Sequence, residues 1–255
     1  MLEIKGLTKH FGGLAAVDGF DMNIGGGEVV GLIGPNGAGK STIFNLITGF
    51  IKPTKGKIIF NGKDITGEKP SAIAKKGLVR TFQSTNLFYE FTVWQNVMVA
   101  CHLKPNINLW EAAFNTPANR RKEKEMAARA LEILKLVGLD SHRDWLAGKL
   151  PHGHKRMLGM AVALAAEPKL LLLDEPLTGM NGEEVADAME LINRIFQNGT
   201  SILFIEHNMK AAMSLCPRIV VLNFGRKIAE GTPAEIRADQ AVIQAYLGGA
   251  KFAAP

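Results

Sequence analysis

Residues Gly34–Thr42 read GPNGAGKST and fit the pattern G-x-x-x-x-G-K-[ST]. Glycines at this spacing let the backbone of Gly34, Pro35, Asn36, Gly37, Ala38 and Gly39 fold its N–H groups around an anion. A helix starting where the run ends adds positive potential. In that chemistry Lys40 reaches the β- and γ-phosphates of a nucleotide, and Ser41, next to Thr42, offers its hydroxyl to Mg²⁺. A glycine-rich turn without a ligand would use the same residue types. The flanks favour phosphate: EVVGLIG before the run is strand-like, and STIFNLITG after it is apolar at helical spacing.

An acid pair follows the apolar run 170–173. Asp174 ends a predicted strand, where a carboxylate can meet a Mg²⁺ held by Ser41, and Glu175 comes next. Glu175 can polarise an attacking water, a general-base role worth about 10²–10⁴ in rate. Acids merely facing solvent at a strand end are the alternative, which the phosphate-loop pattern in the same chain argues against. His207 closes the run SILFIEH. Its imidazole can hydrogen-bond a γ-phosphate or orient the water; taken alone it would be the start of the next helix. Gln83, in VRTFQSTNLF, can touch both Mg²⁺ and that water. Phe11 can stack on an adenine face or plug the underside of a hairpin, and both readings stay open here.

These groups need a scaffold that converges on one place. EVVGLIG, KLLLLDE, TSILFIEH and PRIVVLNFG have the length and continuous apolarity of strands buried on both faces. Between the second and third of these, EEVADAMELINRIFQNG puts Val185, Met189, Ile192 and Phe196 on one helical face and stops at Gly199. Asn181, with Glu184 three residues on, predicts a capping box at its start. Strands alternating with amphipathic helices imply an α/β fold with a mostly parallel core sheet. The N-terminal runs LEIKGLTKHFGG, AAVDGFDMNIGGGEVV and GKIIFNGKDI are short and split by glycines, and predict antiparallel hairpin strands added to that sheet. In RRKEKEMAARALEILKLVG, Ala127, Ala130, Leu131, Leu134 and Val137 share a helical face, and Gly138 suits the position after the helix. The expected division is a discontinuous nucleotide-binding core, 1–86 and 163–235; an inserted helical lobe, 87–162; and a C-terminal helix and tail, 236–255.

With 255 residues, 47% of them hydrophobic, the chain can bury a sizeable core, so disorder is excluded. The longest apolar runs fall short of the roughly 20 residues a membrane-spanning helix needs. The N-terminus MLEIKGLTKHFGG has no apolar signal core, so a cytoplasmic chain is expected. Cys101 and Cys216 lie too far apart in sequence for a metal-ligand pair and suit a reducing compartment. A net charge of +6 favours acidic partners without choosing between nucleotide, nucleic acid and membrane.

The phosphate loop, Gln83 some forty residues on, LLLLDEP and a terminal His207, in this order, resemble the ATP-binding cassette of ABC transporters over nearly the whole chain. FGGLAAVDGF, LITGF, VRTFQ, LFYEFTVWQNVMVA, IEHNMK, GTPAEIRADQAVIQAYLG and the stretch Thr116–Arg121 resemble the ATPase subunits of branched-chain amino acid importers more closely. The resemblance implies a P-loop NTPase with an inserted helical lobe, using ATP and Mg²⁺. Two subunits would sandwich two ATP molecules, each site combining one subunit's phosphate loop with the other's signature turn. Expected partners are a second ATPase subunit, a heterodimer being favoured over a homodimer; permease subunits; and, indirectly, a periplasmic binding protein, with no nucleic acid. The expected location is the cytoplasmic face of the inner membrane. Leu87, Phe88 and Tyr89 are candidates for gripping the permease or for packing between core and lobe. The solute would be a branched-chain amino acid or a related small polar molecule. Cassettes for urea and amides, for lipopolysaccharide export, or for soluble work on nucleic acid are the alternatives. A GTPase is disfavoured by the lack of an N-K-x-D motif.

The resemblance also marks a departure. Signature turns usually read L-S-G-G-Q or L-S-x-G-Q, and this chain has LPHGH, with Pro151, His152, Gly153 and His154. Gly153 keeps a backbone N–H that can approach a γ-phosphate. Pro151 has neither a hydroxyl nor an N–H, and His154 replaces the glutamine. One lost hydrogen bond to a charged phosphate is worth about 1.5–3 kcal/mol, so the turn is expected to be weakened rather than dead. His152 and His154 as metal ligands lack an evident third partner in sequence. Lys155 and Arg156 read as charges at the edge of the turn.

Overall fold

The computed structural model describes residues 1–81, 87–102, 117–206 and 209–251. The chain opens with β1 (Leu2–Phe11), β2 (Leu14–Ile24), β3 (Val29–Ile33), α1 (Lys40–Ile47), β4 (Lys55–Phe60), β5 (Lys63–Asp64), α2 (Pro70–Lys75) and β6 (Leu78–Arg80). Next come α3 (Val93–His102), α4 (Pro117–Leu136), two 3-10 turns (Asp140–His142 and Ala147–Lys149) and α5 (His152–Leu164). The remainder is β7 (Leu170–Asp174), α6 (Gly182–Gln197), β8 (Ser201–Ile205), α7 (Met209–Leu215), β9 (Arg218–Asn223), β10 (Arg226–Gly231), α8 (Pro233–Ala238) and α9 (Gln240–Lys251).

Six strands form one sheet in the order β10-β9-β3-β8-β7-β6, parallel except for β10. Its strands are continuously apolar because both faces are covered. In β7, Leu170 and Leu172 face one hydrophobic cluster and Leu171 and Leu173 the other, the two-residue alternation of a pleated strand. One cluster lies under α1 and the N-terminal strands; the other lies under the helices α3 to α7.

The N-terminal strands depart from expectation. They do not extend the parallel sheet but form a second, antiparallel sheet, β2-β1-β4-β5. Leu2, Ile4, Leu7, Val17 and Phe20 pack from it against the same cluster as Val30, Leu32 and Leu222 of the large sheet. Hairpin strands carry alternating patterns that satisfy one buried face, and a second layer gives them that face where an edge position would not. Strands β6 and β10, too short or too polar to stand out in sequence, complete the large sheet.

The helices follow their local signals closely. α4 ends in a Schellman motif: Leu139 N donates to Leu134 O at 2.8 Å and Gly138 N to Lys135 O at 3.1 Å, with Gly138 at φ 71°. In α6 the apolar stripe is rotated from expectation. Ala188, Leu191, Ile192 and Ile195 are the buried residues, while Val185, Met189 and Phe196 are partly buried at its margin. The capping box is present, with Asn181 Oδ1 accepting from Glu184 N at 3.0 Å and Glu184 Oε2 from Asn181 N at 2.9 Å. Both cysteines are free and buried. No helix among the described residues is long and apolar enough to cross a membrane.

Asn181→Ala removes the cap and is expected to cost about 1 kcal/mol, whereas Asn181→Asp keeps the acceptor and the stability. Urea unfolding at unchanged slope measures the difference.

Candidate functional site

The phosphate-loop sequence connects the central strand β3 to α1. Gly39 sits at φ 105°, and a Cβ there would stand 2.6 Å from Ala16 O, so only glycine fits. The turn between β9 and β10 braces the loop from below, Gly225 N donating to Ala38 O at 2.9 Å. No side chain caps α1 at Gly39, which leaves the first helical N–H groups for a ligand or solvent. Gly34, Ala38 and Lys40 are buried; Asn36, Gly37 and Ser41 are exposed; Pro35, Gly39 and Thr42 lie between. Lys40 Nζ folds back over the loop and donates to Gly34 O at 2.7 Å and Pro35 O at 3.0 Å.

Strand order brings the acids to the same end of the sheet. β8 separates β3 from β7, so at about 4.8 Å per strand Asp174 ends roughly 10 Å across the sheet from Ile33. Asp174 is buried, and its Oδ2 accepts from Arg80 Nη2 at 2.6 Å. Glu175 holds a left-handed backbone, φ 47°, while its N–H donates to Ile205 O at 3.0 Å. A non-glycine residue in that conformation stores about 1–3 kcal/mol of strain. Glu206, fully buried at the end of β8, accepts from Leu177 N at 3.1 Å through Oε1 and so holds the chain just past Glu175. Burial lowers the pKa of the Lys40 ammonium, and Glu175, Asp174 and Glu206 oppose that effect. Arg156 shows the same pattern, lowered by burial and opposed first by Glu175.

Arg156 therefore corrects the reading of it as an edge charge: it is half-buried and shares the field of the three carboxylates. Lys155 is likewise partly buried, with Nζ 5.9 Å from the centroid of the Tyr89 ring. Arg80 and Glu206 carried sequence signals that went unused. Glu206 is a charge directly after an apolar strand, and Arg80 ends the strand that leads towards Gln83. Gln83 and His207 lie outside the described residues.

Pro151, His152, Gly153 and His154 open α5. Pro151 is its N-cap, and no side chain caps this helix either. Gly153 is buried against Glu184, and a Cβ on it would come 2.5 Å from Glu184 Oε1. The His152 ring lies over Gly179. His154 packs on His142, ring centroids 5.1 Å apart, and His142 meets Trp145 edge-on at 4.7 Å. Among the described residues these contacts run to the first turn of α6, the loop before it and the turn after α4, not to the phosphate loop. No group of three or more His, Cys, Asp and Glu residues among the described residues is placed to hold a metal. Phe11 is 49% exposed, with Lys9 Nζ 5.1 Å from its ring centroid. That exposure disfavours a plug beneath the hairpin. Leu87 is buried in the core, whereas Phe88 and Tyr89 are half exposed.

The chain matches the family model described as ABC transporter over residues 17–178. The chain belongs to the ABC transporter ATP-binding cassettes. It is an ATPase that binds nucleotide and couples its hydrolysis to transport, working with permease subunits. Residues 226–251 of the cassette also match the model described as branched-chain amino acid ATP-binding cassette transporter. It is 44% identical over 251 residues to the high-affinity branched-chain amino acid transport ATP-binding protein BraF of Pseudomonas aeruginosa, covering 98% of each chain. It is 42% identical, over the same shares, to LivG of Escherichia coli strain K12, which bears the same description. The ADP conformation of an ATP-binding cassette of an ABC transporter superposes with a TM-score of 0.85 at 31% identity, over 97% of this cassette and 98% of that chain.

Gly39→Ala forces the loop away from Ala16 O and into a conformation alanine resists. Nucleotide affinity is expected to fall at least about tenfold, more than 1.4 kcal/mol of strain being equivalent to that factor, as read by titration with a fluorescent ATP analogue.

Proposed function

We propose that this cassette powers an importer for branched-chain amino acids or related small polar solutes, with the residues gathered at the carboxyl ends of β3, β7 and β8 as its catalytic site. The observation that supports the catalytic reading is the strand order: β3, β8 and β7 run parallel as neighbours, so the phosphate loop, Glu206 and the Asp174–Glu175 pair come at the same edge of the sheet. Lys40, Asp174 and Glu175 suit a phosphate-binding cation, a metal-binding acid and a general base. The solute class rests on the relatives and on the match at 226–251.

In this reading Lys40 and the N–H groups of Gly34–Thr42 hold the β- and γ-phosphates. Ser41 and Asp174 offer only oxygen donors, a set that suits a hard cation such as Mg²⁺, and Gln83 adds an amide oxygen. Bound there, Mg²⁺ supplies charge neutralisation for the transferring phosphoryl group. Glu175 takes a proton from the attacking water, His207 and Gln83 orient that water, and Phe11 stacks on adenine with its exposed face. Pro151, His152, Gly153 and His154 offer the uncapped start of α5 to the γ-phosphate held by a second subunit.

A heterodimer accounts best for the weakened turn. With an ordinary signature on the partner, the site built on this chain's phosphate loop is the faster one. The complex then sits at the cytoplasmic face of the inner membrane, with the binding protein on the far side of the permease.

Glu175→Gln is expected to lower phosphate release by about 10²–10⁴ while an ATP-bound dimer accumulates in light scattering. Loss of nucleotide binding instead would remove Glu175 from the base role. Pro151→Ser restores a hydroxyl and an N–H at the turn and is expected to tighten ATP-driven association by about tenfold or more. An unchanged association constant would sink the account of the weakened signature.

A further inference from the structure

We infer that Arg80 is a positioning residue for the magnesium site, clamping the helix that carries Ser41 to the strand that carries Asp174. The inference rests on the reading of Ser41 and Asp174 as metal ligands.

Strand register supplies the first part of the argument. Arg80 pairs with Leu172 in the parallel β6–β7 ladder. Leu172 and Asp174 are two residues apart on one strand, so they and Arg80 share a face of the sheet. That face is the one covered by α1, since Leu172 clusters with Ile43, Phe44 and Ile47. On α1, Asn45 stands four residues after Ser41, one helical turn along the same side.

The Arg80 guanidinium fills the space between. Nη2 donates to Asp174 Oδ2 and Nη1 to Asn45 Oδ1, both at 2.6 Å, and the group lies 5.5 Å from the centroid of the Phe44 ring. The Arg80 and Asp174 side chains are 8% and 9% exposed. A planar fork with two fixed donors sets the separation and angle between its acceptors, which the single ammonium of lysine does not. Asp174 Oδ2 is thereby committed, which would leave Oδ1 for a cation shared with Ser41. Outer partners that hold a metal ligand in this way typically contribute 10–100-fold to metal affinity.

Arg80 also brings a positive charge close to the cation, which works against binding. Arg80→Lys keeps that charge and removes the fork, so it isolates the geometric effect. The full-length chain would be titrated with MgCl₂ in the presence of mant-ATP, and mant-ATP affinity measured separately in EDTA. Arg80→Lys is expected to raise the Mg²⁺ concentration at half-saturation about tenfold and to leave the EDTA affinity at its wild-type value. Asn45→Ala, which frees the clamp from α1 but keeps the ion pair, is expected to shift the midpoint in the same direction by less.

A wild-type midpoint in Arg80→Lys, with Asp174→Asn and Ser41→Ala both shifted, overturns the role of Arg80. Equal loss of affinity with and without Mg²⁺ also overturns it, because the residue would then be supporting the phosphate loop rather than the metal. Wild-type midpoints in Asp174→Asn and Ser41→Ala would instead remove the metal-ligand reading beneath it. Should Arg80→Lys fail to fold, Asn45→Ala decides, and an unshifted midpoint there counts against the clamp.

Discussion

The large sheet is covered on both faces, and this one constraint places nearly everything else. Side chains within β3, β7 and β8 are buried from water, and apart from Ser201 and Asp174 at strand ends they are apolar. Polar chemistry can begin only where the strands stop. Because β3, β8 and β7 run parallel as neighbours, they stop at the same edge, and their terminal residues meet there. The phosphate loop follows β3, Glu206 follows β8, and Asp174 and Glu175 end β7. The site is the carboxyl edge of a parallel sheet, the place where open α/β folds collect their ligands.

Collecting three carboxylates at one edge creates an electrostatic problem that the fold answers with cations from three separate elements. Lys40 comes from α1, Arg80 from β6 and Arg156 from α5. Arg80 forms a direct ion pair with Asp174, while Lys40 and Arg156 act through the field they share with Glu175. Buried charges persist only when paired and hydrogen-bonded, and Asn45 and Leu177 N supply part of that bonding. Arg156 has a further consequence: it stands three residues beyond Gly153, so the helix opened by LPHGH also reaches the field of Glu175.

The turn itself is built into its surroundings rather than left as a free loop. Gly153 is pressed against Glu184, the residue that closes the capping box of α6, and His152 covers Gly179 in the loop after Glu175. His154 leans on His142 from the turn after α4. His152, Gly153 and His154 therefore each rest on a different neighbouring segment. What Pro151 removes, a hydroxyl and an N–H at the start of α5, has no replacement among the side chains that cap helices here.

Much of this was legible in the sequence because much of it is local. The glycine spacing of 34–42, the Asn181–Glu184 capping box and the stop at Gly138 involve residues a few positions apart, and backbone sterics decide them without help from the rest of the chain. The apolar runs of β3, β7, β8 and β9 were legible too, because burial on both faces leaves an unbroken pattern. Tertiary structure decided the remainder. Arg80 lies 94 residues from Asp174 and 35 from Asn45, and no periodicity links positions so far apart. The separate N-terminal sheet and the rotated stripe of α6 depend on which surface each element meets, a question of packing between layers. Local patterns state that a side chain must be buried; only the assembled fold states against what.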